Sequence, residues 1–208
     1  MFAADILTFQ EFATGEPLPL SAVHNAVLEF LKGRDDAVVF GAQAVNAYVA
    51  EPRMTQVVDL QSTRACGLAE ELRGYLHERF HIAVRIREAT GGLGFRLYQL
   101  QEPANRHLAD VRDVAALPPS RRISGVLVMA PAELIASKVI GHEMRRGRPK
   151  AGTDWRDLAM LLLAFPDLKQ EQGPVREALE EMHAGPGEIE FWKQLVAEEI
   201  RAEDDEGF

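Results

Sequence analysis

A single cysteine, Cys66, occurs in 208 residues, which excludes an intramolecular disulfide and a thiolate metal cluster. The missing cysteine framework agrees with a reducing compartment, and the cytoplasm is the expected location. No apolar run approaches the ~20 residues that a membrane-spanning helix needs, so no membrane association is expected. The opening MFAADILTFQEF lacks a basic segment and carries Asp5 and Glu11 among its apolar residues, so a secretory signal is not expected either. Nor is there an excess of positive charge. With 23 Lys+Arg against 32 Asp+Glu the formal net charge is -9, which argues against a protein whose whole surface grips nucleic acid. Any surface that binds phosphate must be local.

What the chain does have is enough apolar residue, 47%, to bury a substantial core. Residues 1–19 are broken by Gly15, Pro17 and Pro19 and read as an arm or short helix. Val23, Val27, Leu28 and Leu31 recur at helical spacing, with Ser21 placed as N-cap and Gly33 as a stop. A short buried strand over 38–40 then meets a glycine turn at Gly41, a helix over 42–50, a polar loop and a second strand over 55–60. An amphipathic helix over 65–80 follows. Two strands, 81–87 and 95–100, flank Thr90-Gly91-Gly92-Leu93-Gly94, which reads as a hairpin turn because no helix follows to seat a phosphate. Strands over 107–114 and 125–129 complete the mixed region, with Pro118-Pro119 between them. From Pro131 the pattern is helical, over 131–144, 154–165, 174–183 and 188–201, and Glu203 to Glu206 form an acidic tail. Mixed strands and helices followed by segregated helices predict an α+β fold. The expected division is a core over 1–130 and a helical part over 131–208, together forming one unit.

Several residues could carry chemistry. Magnesium prefers carboxylate oxygen, and two acids at i and i+2 on a strand point to one face. Around Asp59 that face comprises Val57, Asp59 and Gln61, so only one position is charged. Asp59 as a strand-end cap is the plain alternative. Gly41 followed by Ala42 lets the backbone turn sharply and frees amides for an anion, while Arg53 and Thr55 sit just before the acid. Asp110 lies between apolar neighbours on a predicted strand, where an acid is costly unless paired or metal-bound. It is the best candidate for a third carboxylate of a metal site, with Asp113 the less favoured choice. The alternative places Asp110 on an edge strand, facing water beside Arg112.

Lys138 falls within the apolar stripe of its helix, between Leu134 and Ile135 in direction, so it must snorkel or meet an anion. Arg145, Arg146, Arg148 and Lys150 form a local basic loop that reads equally as an anion site or as a solvated turn complementing the helix dipole. Asp154 is placed as the N-cap of the next helix and Asp157 in its first turn, where it could pair with Lys138 or an arginine.

Taken together, Gly41-Ala42-Gln43-Ala44, Arg53-Met54-Thr55, Val57-Val58-Asp59-Leu60, Glu133 to Lys138, Arg145 and Asp154-Trp155-Arg156-Asp157-Leu158 resemble the AbiEii-like branch of the nucleotidyltransferase superfamily, over residues 38–165. The resemblance implies a mixed β-sheet flanked by helices, with an NTP and magnesium as cofactors. It implies transfer of a nucleotide to an acceptor, in some members tRNA, by the toxin of a toxin–antitoxin pair. Nucleotide, RNA and a cognate antitoxin protein are therefore the implied partners. Asp59 matches the second acid of the metal motif, Lys138 the lysine of the nucleotide-contacting helix, and Asp154 and Asp157 the closing acidic motif. Two positions depart: Val57 stands where the first metal acid belongs, and Ala42 where glycine or a small polar residue is usual.

Three functions follow as alternatives. In an enzyme, Asp59 and Asp110 hold magnesium, Gly41, Ala42, Arg53 and Thr55 support the nucleotide, and Lys138, Arg145 and Asp157 complete its site. A binding module would keep the fold and the cations without turnover. A scaffold would show no nucleotide effect at all.

Overall fold

A computed structural model describes residues 18–202. The expected N-terminal arm lies almost wholly outside the described residues, and the acidic tail entirely so. Among the described residues two compact units are present, one formed by residues 18–47 and 52–129, the other by 48–51 and 130–202.

The first unit opens with helix α1, Leu20–Leu31, whose inner face carries Leu20, Val23, Val27 and Leu31. Pro19 rather than Ser21 occupies the N-cap and no side chain caps the helix, which corrects the Ser21 expectation; proline tolerates that end because it has no amide to satisfy. Gly33 turns the chain at φ +74, and its amide donates to the Gly125 carbonyl at 2.9 Å. After α1 come β1 Ala37–Phe40, α2 Gly41–Asn46, β2 Val58–Ser62, α3 Ala65–Phe80, β3 Val84–Glu88, β4 Gly94–Gln99, β5 Arg106–Asp113, β6 Ser120–Ile123 and β7 Val126–Met129.

The strands form one mixed sheet in the order β3-β4-β5-β2-β1-β7-β6. β2 runs parallel to β5 and β1 parallel to β7, while the other neighbours are antiparallel. This is the expected mixed sheet. Pairing register places Val39, Leu60, Val111, Leu97 and Val128 on one face, all fully buried or nearly so. Leu68, Leu72 and Leu76 of α3 are buried with them. The glycine-rich stretch closes the β3–β4 hairpin as expected.

Several elements differ from the sequence reading, three of them in this unit with a local cause in the structure. Helix α2 stops at Asn46 instead of 50 because the Asn46 side chain turns to bracket the next loop. Its Nδ2 donates to the Arg53 carbonyl at 2.7 Å, and its Oδ1 accepts from the Arg53 amide at 3.0 Å. β2 starts at Val58 rather than 55, since Thr55 closes a local turn by donating from Oγ1 to the Val57 carbonyl. β6 is a strand that the sequence pattern does not announce. Its Ser-Arg-Arg-Ile sequence forms the outer edge of the sheet, paired to β7 alone, where alternation is not enforced by a second neighbour.

An ion-pair cluster ties the start of β1 to α3. Arg34 grips Asp36 with Nε and Nη2 at 2.8 and 2.7 Å, Arg64 donates to Asp36 at 2.8 Å, and both arginines reach Glu71. The Arg34 hydrogen bond, seconded by Arg64, holds the Asp36 carboxyl at about 2 against an ordinary 3.8, despite partial burial. A depressed carboxyl stabilises the fold above its unfolded pKa and loses that contribution as pH falls toward the folded one. Asp36 is therefore expected to contribute on the order of 1–2 kcal/mol at neutral pH, after allowance for its partial exposure. Urea titrations of the native protein should show that contribution fading between pH 4 and about 2, and Asp36→Asn should lack that part of the pH dependence.

The second unit is helical: α4 Pro131–Met144, α5 Pro149–Ala164, a 3-10 turn Pro166–Leu168, α6 Pro174–Glu181 and α7 Pro186–Ala197. Each helix has proline in its first turn, where the missing amide costs nothing. Leu134, Ile135 and Val139 of α4 are buried with Leu158, Leu161, Leu179, Trp192 and Leu195. Residues 48–51 join this unit through the Tyr48 ring, edge-on to Phe165 at 5.5 Å, and through Arg156, which donates to the Glu51 carbonyl.

Candidate functional site

Alternation along β2 buries Val58, Leu60 and Ser62 and leaves Asp59 and Gln61 half-buried on the opposite face. In the parallel β2–β5 ladder Asp59 stands opposite Asp110. Two carboxylates thus lie abreast on one face of the sheet. Beside them, β1 ends in the Gly41 turn at φ +67. A methyl group built on Gly41 would come within 3.0 Å of the Asp59 carboxylate carbon and closer still to Oδ2, so the backbone passes directly against this acid.

Asp110 lies on an inner strand and is paired, which rules out the edge-strand alternative. β5 lies between β4 and β2 and is not an edge strand. Its register shifts at Leu97/Tyr98, where Tyr98 pairs with His107 and Leu97 with Ala109, leaving Leu108 as an extra bulged residue. A bulge reverses the alternation beyond it, and His107 therefore shares the face of Asp110. His107 Nε2 lies 2.9 Å from Asp110 Oδ1, and Arg96 Nε 3.5 Å from the same oxygen.

Gly41, Ala42, Arg53 and Thr55 follow one another around the turn and loop between β1 and β2. Ala42 is buried. The Arg53 backbone is fixed by Asn46, and its Nη1 donates to the Met54 carbonyl at 3.2 Å. Buried His24 and Gln43 brace this region from within: the Gln43 amide lies 3.1 Å from His24 Nδ1, and His24 Nε2 3.4 Å from the Gln56 carbonyl. Donation by Gln43 to Nδ1 leaves the proton on Nε2, facing that carbonyl.

These residues do not fit a two-metal centre. Such a centre needs carboxylates bridging ions roughly 3.5–4 Å apart. Val57 supplies no oxygen from its side chain, and one oxygen of Asp110 already faces an imidazole and a guanidinium. Among the described residues no group of three or more His, Cys, Asp and Glu could hold a metal ion.

In the helical unit, Lys138 is 7% exposed and meets the anions its position demands. Its Nζ donates to Asp157 Oδ2 at 2.6 Å and to Asp154 Oδ1 at 3.3 Å. Arg145 Nη1 donates to Asp154 Oδ2 at 2.6 Å and to the Gly141 carbonyl at 2.9 Å. Asp154 is not an N-cap. Helix α5 begins at Pro149 with Arg148 as its cap, so Asp154 and Asp157 lie inside the helix and their carboxylates turn to Lys138 and Arg145. Lys150 is consequently helical, and the basic loop shrinks to residues 145–148.

Sequence reasoning missed a group of cations on the acid-bearing face. Register puts Arg85 and Arg87 of β3, Arg96 and Tyr98 of β4, and His107 and Arg112 of β5 on that face. All four arginines are exposed. The alternating Arg-x-Arg of Val84-Arg85-Ile86-Arg87 carried the signal, as did Phe95-Arg96-Leu97-Tyr98.

No family model matches the chain and no curated protein matches it in sequence. Solved structures do share its fold. JHP933 from Helicobacter pylori aligns with TM-score 0.57 at 13% identity, over 92% of this chain and 82% of its own. The Megavirus polyadenylate synthase aligns with TM-score 0.57 at 12% identity, over 71% of this chain; the match spans only 32% of the synthase. ANT(2'')-Ia, solved with adenylyl-2''-tobramycin, aligns with TM-score 0.50 at 14% identity, over 85% of this chain and all of its own. No helix among the described residues is long and apolar enough to cross a membrane. A seven-stranded mixed sheet flanked by helices, with these neighbours, makes this a protein of nucleotidyltransferase-like fold.

Proposed function

We propose that this chain is a cytoplasmic protein of the AbiEii-like branch that binds a nucleotide or RNA without transferring it. The observation that carries this reading is the state of the acid pair: Asp59 and Asp110 stand abreast, Val57 replaces a further acid, and Asp110 is already compensated by His107 and Arg96. A face so arranged suits a bound anion better than a pair of metal ions. Gly41, Ala42, Arg53 and Thr55 would border the nucleotide on one unit. In the helical part, Arg145 is the member of the Lys138–Arg145–Asp154–Asp157 cluster with substantial solvent access.

A second reading is favoured by the retained Asp59–Asp110 register. It makes the chain a toxin that transfers a nucleotide from NTP to an RNA or protein acceptor with magnesium, restrained by a cognate antitoxin. A thermal-unfolding titration with each of the four NTPs, with and without magnesium or manganese, separates the two. Binding to the folded state alone stabilises by RT ln(1 + [L]/Kd), about 2.7 kcal/mol at 100-fold excess. The binding-module reading expects a shift in Tm that is independent of metal and survives Asp59→Asn. A metal-dependent shift abolished by Asp59→Asn, with label transferred from NTP to RNA or protein, would support the toxin. Val57→Asp should then be the variant that raises turnover. No shift with any nucleotide and no RNA binding would overturn both.

A further inference from the structure

We propose that the open face of β3, β4 and β5 is a track for single-stranded RNA, held by Arg85, Arg87, Arg96 and Arg112 with the Tyr98–His107 ring pair between them. The proposal rests on the nucleic-acid-binding part of the function above and not on catalysis. In a chain of net charge -9, four exposed arginines share one face of three adjacent strands. Among the described residues Arg85, Arg87 and Arg112 have no carboxylate partner. Arg87 instead lies over the Tyr98 ring at 5.5 Å and Arg112 over Phe40 at 4.9 Å, leaving their charge to an incoming anion.

Arg85 and Arg87 are about 6.8 Å apart along β3, and neighbouring strands about 4.8 Å apart across it, so the cations form a grid. An extended polyanion can meet several of them at once. Tyr98 and His107 stack at 4.6 Å with their planes 20° apart, and rings on an open sheet face are a means of stacking unpaired bases. At the inner end of the track, Gln61 offers an amide oxygen on the same face, an acceptor suited to the 2'-hydroxyls that distinguish RNA from DNA. Asp110 is then a positioning residue, holding Arg96 and His107 in place. Exposed arginines on an edge strand can also serve only to block pairing with another sheet. That role predicts no RNA binding.

Fluorescence anisotropy with a 5'-labelled 12-nucleotide uridine-rich RNA tests the track on the full chain between 50 and 200 mM salt. We expect Arg85→Gln/Arg87→Gln to bind at least 10-fold more weakly at 100 mM salt. Its salt slope should fall by about 1.4, two contacts at ~0.7 each. Arg121→Gln, on the opposite edge of the sheet, should bind as the native protein does. The NTP-induced Tm shift should be the same in the double variant, so failure of the track is distinguishable from failure of the nucleotide site. The assignment is overturned if native protein ignores the RNA at 50 mM salt, if the double variant binds it unchanged, or if matching DNA binds more tightly. A labelled polyglutamate peptide bound as tightly, with the same arginine dependence, would make this a protein-docking surface instead and would equally overturn it.

Discussion

Lys138→Met is expected to lower the unfolding free energy of the helical unit by about 3–5 kcal/mol, the cost of removing one partner from a buried ion pair. Asp157 is fully buried and Asp154 nearly so, and Lys138 is the cation that reaches both. Arg145 would remain on Asp154, but buried Asp157 would lose the ammonium that donates to it at 2.6 Å. The methionine is close to lysine in volume, so the loss would report charge rather than a cavity. Urea denaturation is the direct measurement. Lys138→Met/Asp157→Asn should recover part of the loss, because deleting both partners leaves less uncompensated charge than deleting one. A single variant within about 1 kcal/mol of native, the size of an ordinary surface pair, would show that the ammonium is not what holds these helices together.

Gly41→Ala should cost on the order of 2–4 kcal/mol, combining the left-handed backbone penalty with overpacking against Asp59. The two contributions are separable. Gly147 has a similar backbone, φ +78, with nothing within 4 Å of where an added methyl would stand, so Gly147→Ala should show the backbone penalty alone, about 1–2 kcal/mol. Adding Asp59→Ala to Gly41→Ala should bring the loss down toward that smaller figure. If urea denaturation finds the two glycine variants equally destabilised, the Gly41 turn does not press on the carboxylate and the acid pair is only loosely framed.

Helices are the most legible part of the chain where their apolar stripe coincides with a local stop or start. α3 and α4 match their expected bounds, α4 because Pro131 marks its first turn and α3 because its leucines keep one phase. The start of α5 is not legible in this way. Thr153-Asp154 resembles a capping pair and Gly152 a break, whereas the helix already runs from Pro149 because Ala151 and Asp154 are buried and side chains from α4 and the following loop satisfy Asp154. That satisfaction is tertiary and leaves no local trace. Lys138 is readable as needing an anion, and Asp157 is among its foreseeable partners. The Asp59–Asp110 register depends on a parallel pairing between strands some fifty residues apart, and the Leu108 bulge that turns His107 toward Asp110 exists only in the ladder with β4. Nothing within either strand's own sequence specifies them. The arginine face is visible as alternation in β3 and β4, but joining it to Arg112 requires the strand order.

That strand order also sets when the sheet can form. β1 and β2 pair locally, yet their outer neighbours, β7 and β5, arrive much later in the chain. Closing such separated parallel pairs spends loop entropy before any contact rewards it, which slows folding. On the ribosome, a nascent chain that has reached only α3 displays Val38, Val39, Val58 and Leu60 with both flanks of the β1–β2 pair unfilled. Synthesis must reach Met129 before β7 covers β1, so this interval is when the chain is most exposed to aggregation and has most need of a chaperone.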